Sequence, residues 1–533
     1  MCKSESIQSV TGTSDAEKSE VISDKVNFDE AIRLAAYGKF NYFIVIISGI
    51  VLSAVLLETL SISFVLPVAE KDLNLSTEDK GIVSSVAYAG IIASSHLSGF
   101  LADTKGRRLV IMLSLLLSFG CTLISSFVNN FWIFTAMRFF CGFFISGSSA
   151  TIYAYLAEFH TIKMQSKVIM GAAFVFGVCS MCMPLIAMLI INQEWIFVID
   201  FLNVEYKPWR LFVLSCGSLS LISGLCFVFL PESPKFAFNN GKKEEALNTL
   251  RKIYRLNTGR PAEEYKVKEI VVDDKNNESS ETDSKDLSLW KRMWNQTAPL
   301  FQKIHLKNTL ILCSIQFLIF NTSSGFYMFF PEILNRAIEF SNQNPNASCT
   351  ICEAFYENRN SSIAEVNPSS IIKLEFKTYE YSFILEIIYA LGFAVIGILV
   401  NRLGKLFIVL FVLLGCGLCG FAISFVSIVN LSIYLYVILL ACGLSVNVIT
   451  GSTLELFPTS LRAMAVSLSL MCGRLGSVFG SLVVGLLLDK YCKYAFLYSG
   501  TTLIICCCLI FFIPNISNRR GKKSCDNKEI SPI

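Results

Sequence analysis

Charged side chains set inside long apolar runs are where this sequence can do chemistry. Glu58 lies in "AVLLETLSIS", Glu386 in "FILEIIYALG" and Arg474 in "LMCGRLGSVFG", while Arg138 opens another apolar run. A charge at the centre of a lipid-embedded helix costs about 2.5–3.5 kcal/mol, so such residues face a cavity or a partner. A carboxylate in a dry cavity can carry a proton or bind a cation, which points first to Glu58 and then to Glu386. Arg474 can meet an anionic ligand or pair with a carboxylate between helices. Arg138, near the end of its run, reads as an interfacial anchor whose head snorkels. Gln316, Asn321, Ser324 and Asn447 offer neutral hydrogen bonds, either to a ligand or to neighbouring helices. Phe326, Tyr327, Phe329 and Phe330 can stack on an organic cation, although in a chain with 43 Phe core packing is the default role. Covalent chemistry has no carrier. The chain holds three His, no "GxxxxGK" loop and no Ser-His-Asp arrangement, so it reads as a non-enzyme with no cofactor, no metal and no nucleic-acid partner.

The elements that must position these residues are membrane helices. The 533 residues are 53% hydrophobic and only 16% charged, with a mean hydropathy of +0.57. Twelve apolar runs are long enough to cross a hydrocarbon core of about 30 Å. They fall near 40–67, 81–102, 109–128, 131–157, 168–191, 210–230, 309–331, 380–400, 406–427, 432–454, 463–488 and 494–514. The fold class is therefore all-α and polytopic, with two six-helix units at 40–230 and 309–514. A tail at 1–39, with Asn27 and Glu30 in capping-box spacing, precedes the first run and holds no cleavable signal peptide. A polar segment at 231–308 separates the units; Leu247, Leu250, Ile253 and Tyr254 mark an amphipathic surface helix in it, and 268–286 reads as an acidic linker. Residues 337–378 form a long loop and 515–533 a second tail.

Lys105, Arg107, Arg108, Lys163, Lys167, Arg402, Lys405 and Arg462 all fall in loops of one side, as does "NRRGKK" near the C-terminus. The positive-inside rule makes that side, and both termini, cytoplasmic. The sequons at Asn74, Asn346, Asn360 and Asn430 fall on the other side, as glycosylation requires. Most of the 19 Cys lie within the runs, where cysteine is a small apolar residue. Cys349 and Cys352, in the polar loop, are the candidate disulfide partners.

A repeat links the two units. Gly99-x-Leu101-x-Asp103-x-x-Gly106-Arg107 returns as Gly397-x-Leu399-x-Asn401-x-x-Gly404-Lys405, and Glu158 has its counterpart in Glu455. Two matches at nearly one offset imply a duplicated six-helix unit, the architecture of alternating-access transporters with a site between the halves. The charges then read as a latch. Gly99 lets helices approach closely and Gly106 allows a tight turn. Asp103 faces a helix N-terminus of the other half, while Arg107, helped by Arg108, reaches Glu158. Arg462 follows Glu455 as the matching base in the second unit.

These motifs resemble the major facilitator superfamily. "GFLADTKGRR" is similar to its signature loop after helix two, and "ELFPTSLRAMAVSL" to the matching motif after helix ten. "PESPKFAFNNGKKEEALNTLRKI", with Pro231, Glu232, Ser233 and Pro234, resembles a segment shared by sugar porters, organic-ion transporters and relatives of synaptic vesicle glycoprotein 2. "FVLPVAEKDLNLSTEDKGIVSSVAYAGIIASSHLSGFLAD" and "GFYMFFPEIL" resemble the last of these groups, although the loop between helices seven and eight is only about forty residues here. Sugar porters carry paired glutamines before Ser-Gly in helix seven; Asn321 and Thr322 stand there, which disfavours a hexose. Organic-anion transporters carry an Arg before Gly-Ser in helix eleven, which Arg474-Leu475-Gly476-Ser477 matches.

The resemblance implies a monomeric secondary transporter of a small organic solute, with organic ions among the candidates and a proton or sodium ion as co-substrate. It sits in a plasma or vesicle membrane. The alternative it leaves open is a transporter-shaped binding protein with little transport of its own.

Overall fold

The computed structural model describes residues 25–202, 204–271, 297–344, 348–356, 373–458 and 461–513. Twelve helices are long and apolar enough to cross a membrane. Spans 1 to 6 are Lys39–Ala69, Thr77–Lys105, Arg107–Ser126, Phe131–Glu158, Ile162–Ile190 and Pro208–Phe229. Spans 7 to 12 are Lys303–Gln343, Phe376–Leu399, Lys405–Ile423, Val429–Thr453, Met464–Leu488 and Lys490–Ile510. Even the shortest, 19 residues, reaches about 28 Å at 1.5 Å per residue, close to the hydrocarbon thickness. The protein is a multi-pass membrane protein of two six-helix bundles.

Apolar burial assigns the bundles. Ile44, Val51, Ile111, Leu115, Ile145 and Ile152 form the core of spans 1–6. A second cluster fills spans 7–12 and continues into Phe64, Val65 and Leu66 of span 1 and Trp209 and Phe212 of span 6. The bundles thus share an apolar seam at one end of the molecule. Gly81 and Gly485 make that approach possible: a Cβ added at Gly485 would lie 2.9 Å from the Gly81 Cα. Small residues allow this backbone proximity where lipid gives helices little other reason to associate.

Span 7 runs further than its apolar stretch suggests. Residues 337–343, expected in the loop 337–378, continue the helix to Gln343. Ala337, Ile338 and Phe340 still bury an apolar face there, and no residue between Pro331 and Gln343 stops a helix. The expected linker 268–286 is also ordered at its start. Strand β1 (Lys25–Asn27) pairs in parallel with a strand at Glu269–Val271, and Ile270 is buried between them. The helix Phe28–Leu34 follows β1, with the Asn27 side chain accepting the Glu30 N–H at 2.9 Å. Helix Lys243–Thr258 buries Leu247, Leu250 and Ile253 against this assembly. Asn257 on it holds the chain entering span 1, donating to Ala36 O at 2.7 Å and accepting from Phe40 N at 3.0 Å.

Candidate functional site

Charged clusters lie along the molecule, among the described residues. The first is inside the N-terminal bundle. Glu58 of span 1 and Arg138 of span 4 are both fully buried, with Arg138 Nη1 3.8 Å from Glu58 Oε2. Thr122 of span 3 donates to the same carboxylate oxygen at 2.6 Å, and the Cys141 thiol at 3.2 Å. Arg138 Nη2 donates to Thr122 Oγ1 at 3.0 Å and to Ser125 Oγ at 2.5 Å. Arg138 is therefore a core residue and not a snorkelling anchor: its guanidinium finds hydroxyls inside the bundle, so it has no need of the interface. The pair is under-satisfied, since Glu58 Oε1 and Arg138 Nε and Nη1 have no hydrogen bond.

The second cluster sits between the bundles. Tyr327 of span 7 donates to Glu386 of span 8 at 2.6 Å, and Ser180 of span 5 lies within hydrogen-bond reach of the same carboxylate. Tyr88 of span 2 meets the Ser324 hydroxyl of span 7, and Arg474 of span 11 is within electrostatic reach of Tyr88. Tyr88, Ser324, Tyr327 and Arg474 are each half-buried although they lie well inside their spans. Arg474 makes no ion pair or hydrogen bond among the described residues. Gln316 and Asn321 are tied to neighbouring helices instead, through Nε2 to Thr450 Oγ1 at 3.1 Å and Nδ2 to Tyr498 Oη at 2.7 Å. Their amide oxygens remain buried without a partner. Asn447 lies exposed on span 10, one turn before Thr450.

Sequence reading missed the third cluster. Lys80 at the start of span 2 is fully buried and contacts Glu332 of span 7 at 2.5 Å and Glu70 at 2.9 Å. Arg336 contacts the same two acids, at 2.8 and 3.1 Å. Two bases and two acids, one of each from either bundle, close this end of the molecule. Lone charges near run ends read as interfacial anchors, which is why they passed unnoticed; Glu332 inside "GFYMFFPEIL" was the available signal. Beside them Asn192 bonds Leu374 N and Tyr379 Oη, again across the bundles.

The opposite end differs. Asp103 does not face a helix of the other bundle: it pairs with Arg107 at 2.9 Å and is 73% exposed. Arg107 reaches Glu158 at 3.3 Å as expected, within the same bundle. A Cβ at Gly99, Gly397 or Gly404 would meet nothing within 4 Å, so the close approach expected at Gly99 is absent. Among the described residues no hydrogen bond or ion pair joins the two bundles at this end. Gly106 is required by its turn, at φ +115°. Glu232 of the "PESP" stretch binds that turn, accepting the N–H groups of Arg107 and Arg108 at 3.1 Å each and of Ser233 at 2.8 Å. It thereby caps span 3. Ser233 in turn caps the short helix that begins at Pro234, and the Pro231 carbonyl accepts the Tyr155 hydroxyl at 2.7 Å. Arg108 donates to the last carbonyls of span 6, Phe227 O and Val228 O, at 2.9 and 2.5 Å. Arg462 donates to Phe457 O at 3.0 Å, and Lys405 begins span 9. The side chains of Asn401 and Glu455 lie outside the described residues.

Cys352 is bridged to Cys492 and not to Cys349. A helical turn at 351–356 lays Cys352 against the start of span 12, with Tyr356 Oη accepting the Cys492 N–H at 2.8 Å. Asn74 and Asn430 are exposed at the Lys80–Glu332 end; Asn346 and Asn360 lie outside the described residues.

Comparison with known proteins bears on the family and the fold. The chain is 27% identical over 322 residues to mouse synaptic vesicle glycoprotein 2B, which covers 58% of this chain and 47% of that protein. It is 26% identical over 331 residues to rat synaptic vesicle glycoprotein 2A, covering 59% and 44%. The matches thus span about half the length of these relatives. The fold matches the xylose transporter XylE from E. coli in a partially occluded inward open conformation, with a TM-score of 0.59 and 16% identity over 92% of this chain and all of that one. The nucleoside transporter NupG matches with a TM-score of 0.59 and 12% identity, over 89% of this chain and all of that one. The profile of the Major Facilitator Superfamily matches residues 42–454 and 382–529. Twelve spans, the paired Gly-turn motifs and this match together make the chain a member of the Major Facilitator Superfamily.

Proposed function

We propose that this protein is a secondary active transporter that carries a small organic solute by alternating access, with Glu58 as the proton carrier. One observation supports the reading above the others. Charges join the bundles at one end, no ion pair or hydrogen bond among the described residues joins them at the other, and a polar cluster drawn from both lies between. The basic loops share the Gly106 end, so the positive-inside rule makes that end and both termini cytoplasmic. In this orientation the molecule faces inward, with Asn74 and Asn430 outside for glycosylation. The membrane is that of the cell surface or of a vesicle.

Glu58 suits proton coupling because its partner Arg138 holds only one of its oxygens. Protonation removes the attraction between spans 1 and 4 and frees the guanidinium, changing the packing of the bundle that must rock. Sodium as co-substrate would need oxygen ligands around Glu58, and Arg138 beside it disfavours a second cation.

Uptake into proteoliposomes tests the reading, using panels of organic ions and an imposed proton gradient. Glu58→Gln should abolish gradient-driven accumulation while retaining solute exchange and cooperative melting; unchanged accumulation removes Glu58 from the mechanism. A rival reading, a membrane binding protein with little transport, predicts a different response to locking. Crosslinking Lys80→Cys to Glu332→Cys should stop a transporter and leave a binding protein's ligand capture intact.

A further inference from the structure

Arg474 and Glu386 are the two charges of the central cluster, and neither is neutralised by the other or by any described residue. Glu386 has only hydroxyl partners, Tyr327 and Ser180. Arg474 has the Tyr88 hydroxyl within electrostatic reach and no acid. Each uncompensated charge inside a span costs a few kcal/mol, so something must repay it. Between them stand two phenols, Tyr88 beside Arg474 and Tyr327 on Glu386, which are themselves within electrostatic reach of one another. The cluster draws on both bundles and lies about 12 Å along span 2 from Lys80 (eight residues) and about 8 Å along span 7 from Glu332. It therefore sits directly beneath the closed end.

From this arrangement we infer that the central site takes a zwitterionic organic solute, its carboxylate or other anionic group on Arg474 and its ammonium group on Glu386, with the Tyr88 and Tyr327 rings between. A plain anion would leave Glu386 unpaired, and a plain cation would leave Arg474 unpaired; a zwitterion satisfies both and crosses with no net charge of its own. The two tyrosine faces favour a flat or aromatic spacer, on which an ammonium group can also ride. The inference rests on the transporter reading for the location of the site, but concerns only what binds there.

Three ω-amino acids of different length test it: 4-aminobutanoate, 6-aminohexanoate and 4-(aminomethyl)benzoate, each with its N-acetyl form (an anion) and its amide (a cation). Binding to the full chain in nanodiscs is followed by calorimetry. At least one parent compound should bind tenfold or more tighter than both of its singly charged forms. Glu386→Gln should erase the discrimination against the N-acetyl form, and Arg474→Gln that against the amide, with melting unchanged in both. An N-acetyl form or an amide that binds as tightly as its parent overturns the inference. So does the absence of binding by all nine compounds to a protein that melts cooperatively. Binding of the parent without carriage across a proteoliposome membrane would retain the inference and defeat the transporter reading. Carriage of plain anions alone would do the reverse.

Discussion

Arg138 has exchanged water for the Thr122 and Ser125 hydroxyls and the Glu58 carboxylate. Removing one partner of a buried pair strands the other, so Arg138→Ala should cost about 3–5 kcal/mol. Glu58→Gln keeps an acceptor for Thr122 but leaves the Arg138 charge with hydroxyl partners alone, and should cost less. Denaturant unfolding in detergent separates the two, and equal losses would mean that the Glu58 charge, and not the hydrogen bonds that Gln retains, accounts for the pair. His160 offers a second residue-scale test. Burial pulls its pKa below the ordinary value, partly offset by the hydrogen bond between Nδ1 and Leu156 O at 2.7 Å. The folded protein therefore keeps it neutral, while the unfolded chain takes up a proton near pH 6.5. Stability should fall as pH drops from about 6.5 toward the lowered native value, and His160→Gln should flatten that part of the curve. A melting profile from pH 7.5 to 5 that is the same in both proteins would refute this.

At the scale of elements, the turn between spans 2 and 3 is held by its own bundle. Gly106 adopts a backbone conformation open only to glycine, and a Cβ there would lie 2.4 Å from Glu232 Oε2. Gly106→Ala should therefore cost about 1–3 kcal/mol in strain and also dislodge the cap on span 3. Glu232→Gln keeps the turn but loses the charge facing three N–H groups, at about 1 kcal/mol. Thermal melting of both variants checks the order, Gly106→Ala below Glu232→Gln. The spacing of the Gly-Asp-Gly-Arg motif was legible in the sequence, as was the Arg107–Glu158 contact. The partner of the turn was not. Glu232 follows Gly106 by 126 positions, and nothing in local periodicity says which N–H groups a distant carboxylate will meet.

For the whole molecule, the proposed alternating access makes the Lys80–Glu332–Glu70–Arg336 cluster the contact that would hold one of its two states. Lys80→Met leaves two acids sharing one base and should open that end. Distances measured by double electron–electron resonance between labels on spans 2 and 7 should lengthen or become bimodal there, and shorten at the Gly106 end. An unchanged distribution would mean that the apolar seam alone holds the end closed. The Cys352–Cys492 bridge closes 140 residues of chain. Cys352→Ser should destabilise the protein by about 2–4 kcal/mol through the freer unfolded chain, seen as a lower melting temperature, without affecting the loops at the Gly106 end.

Twelve spans, two related units and the side on which the bases collect follow from the sequence alone, because hydrophobic length, repeat spacing and loop charge are properties of neighbouring residues. Glu58 and Glu386 were visible for the same reason, as charges where lipid forbids them. What folding alone decided is who meets whom. Arg138 turned inward to Glu58, Cys352 passed over Cys349 for Cys492, Asp103 stayed within its own bundle, and four charges scattered along the chain became one cross-bundle cluster. Each of these is a contact between helices distant in sequence. Lipid gives apolar helices little preference for a face, so these pairings are chosen by the packing of small residues and the need of each buried charge for a partner.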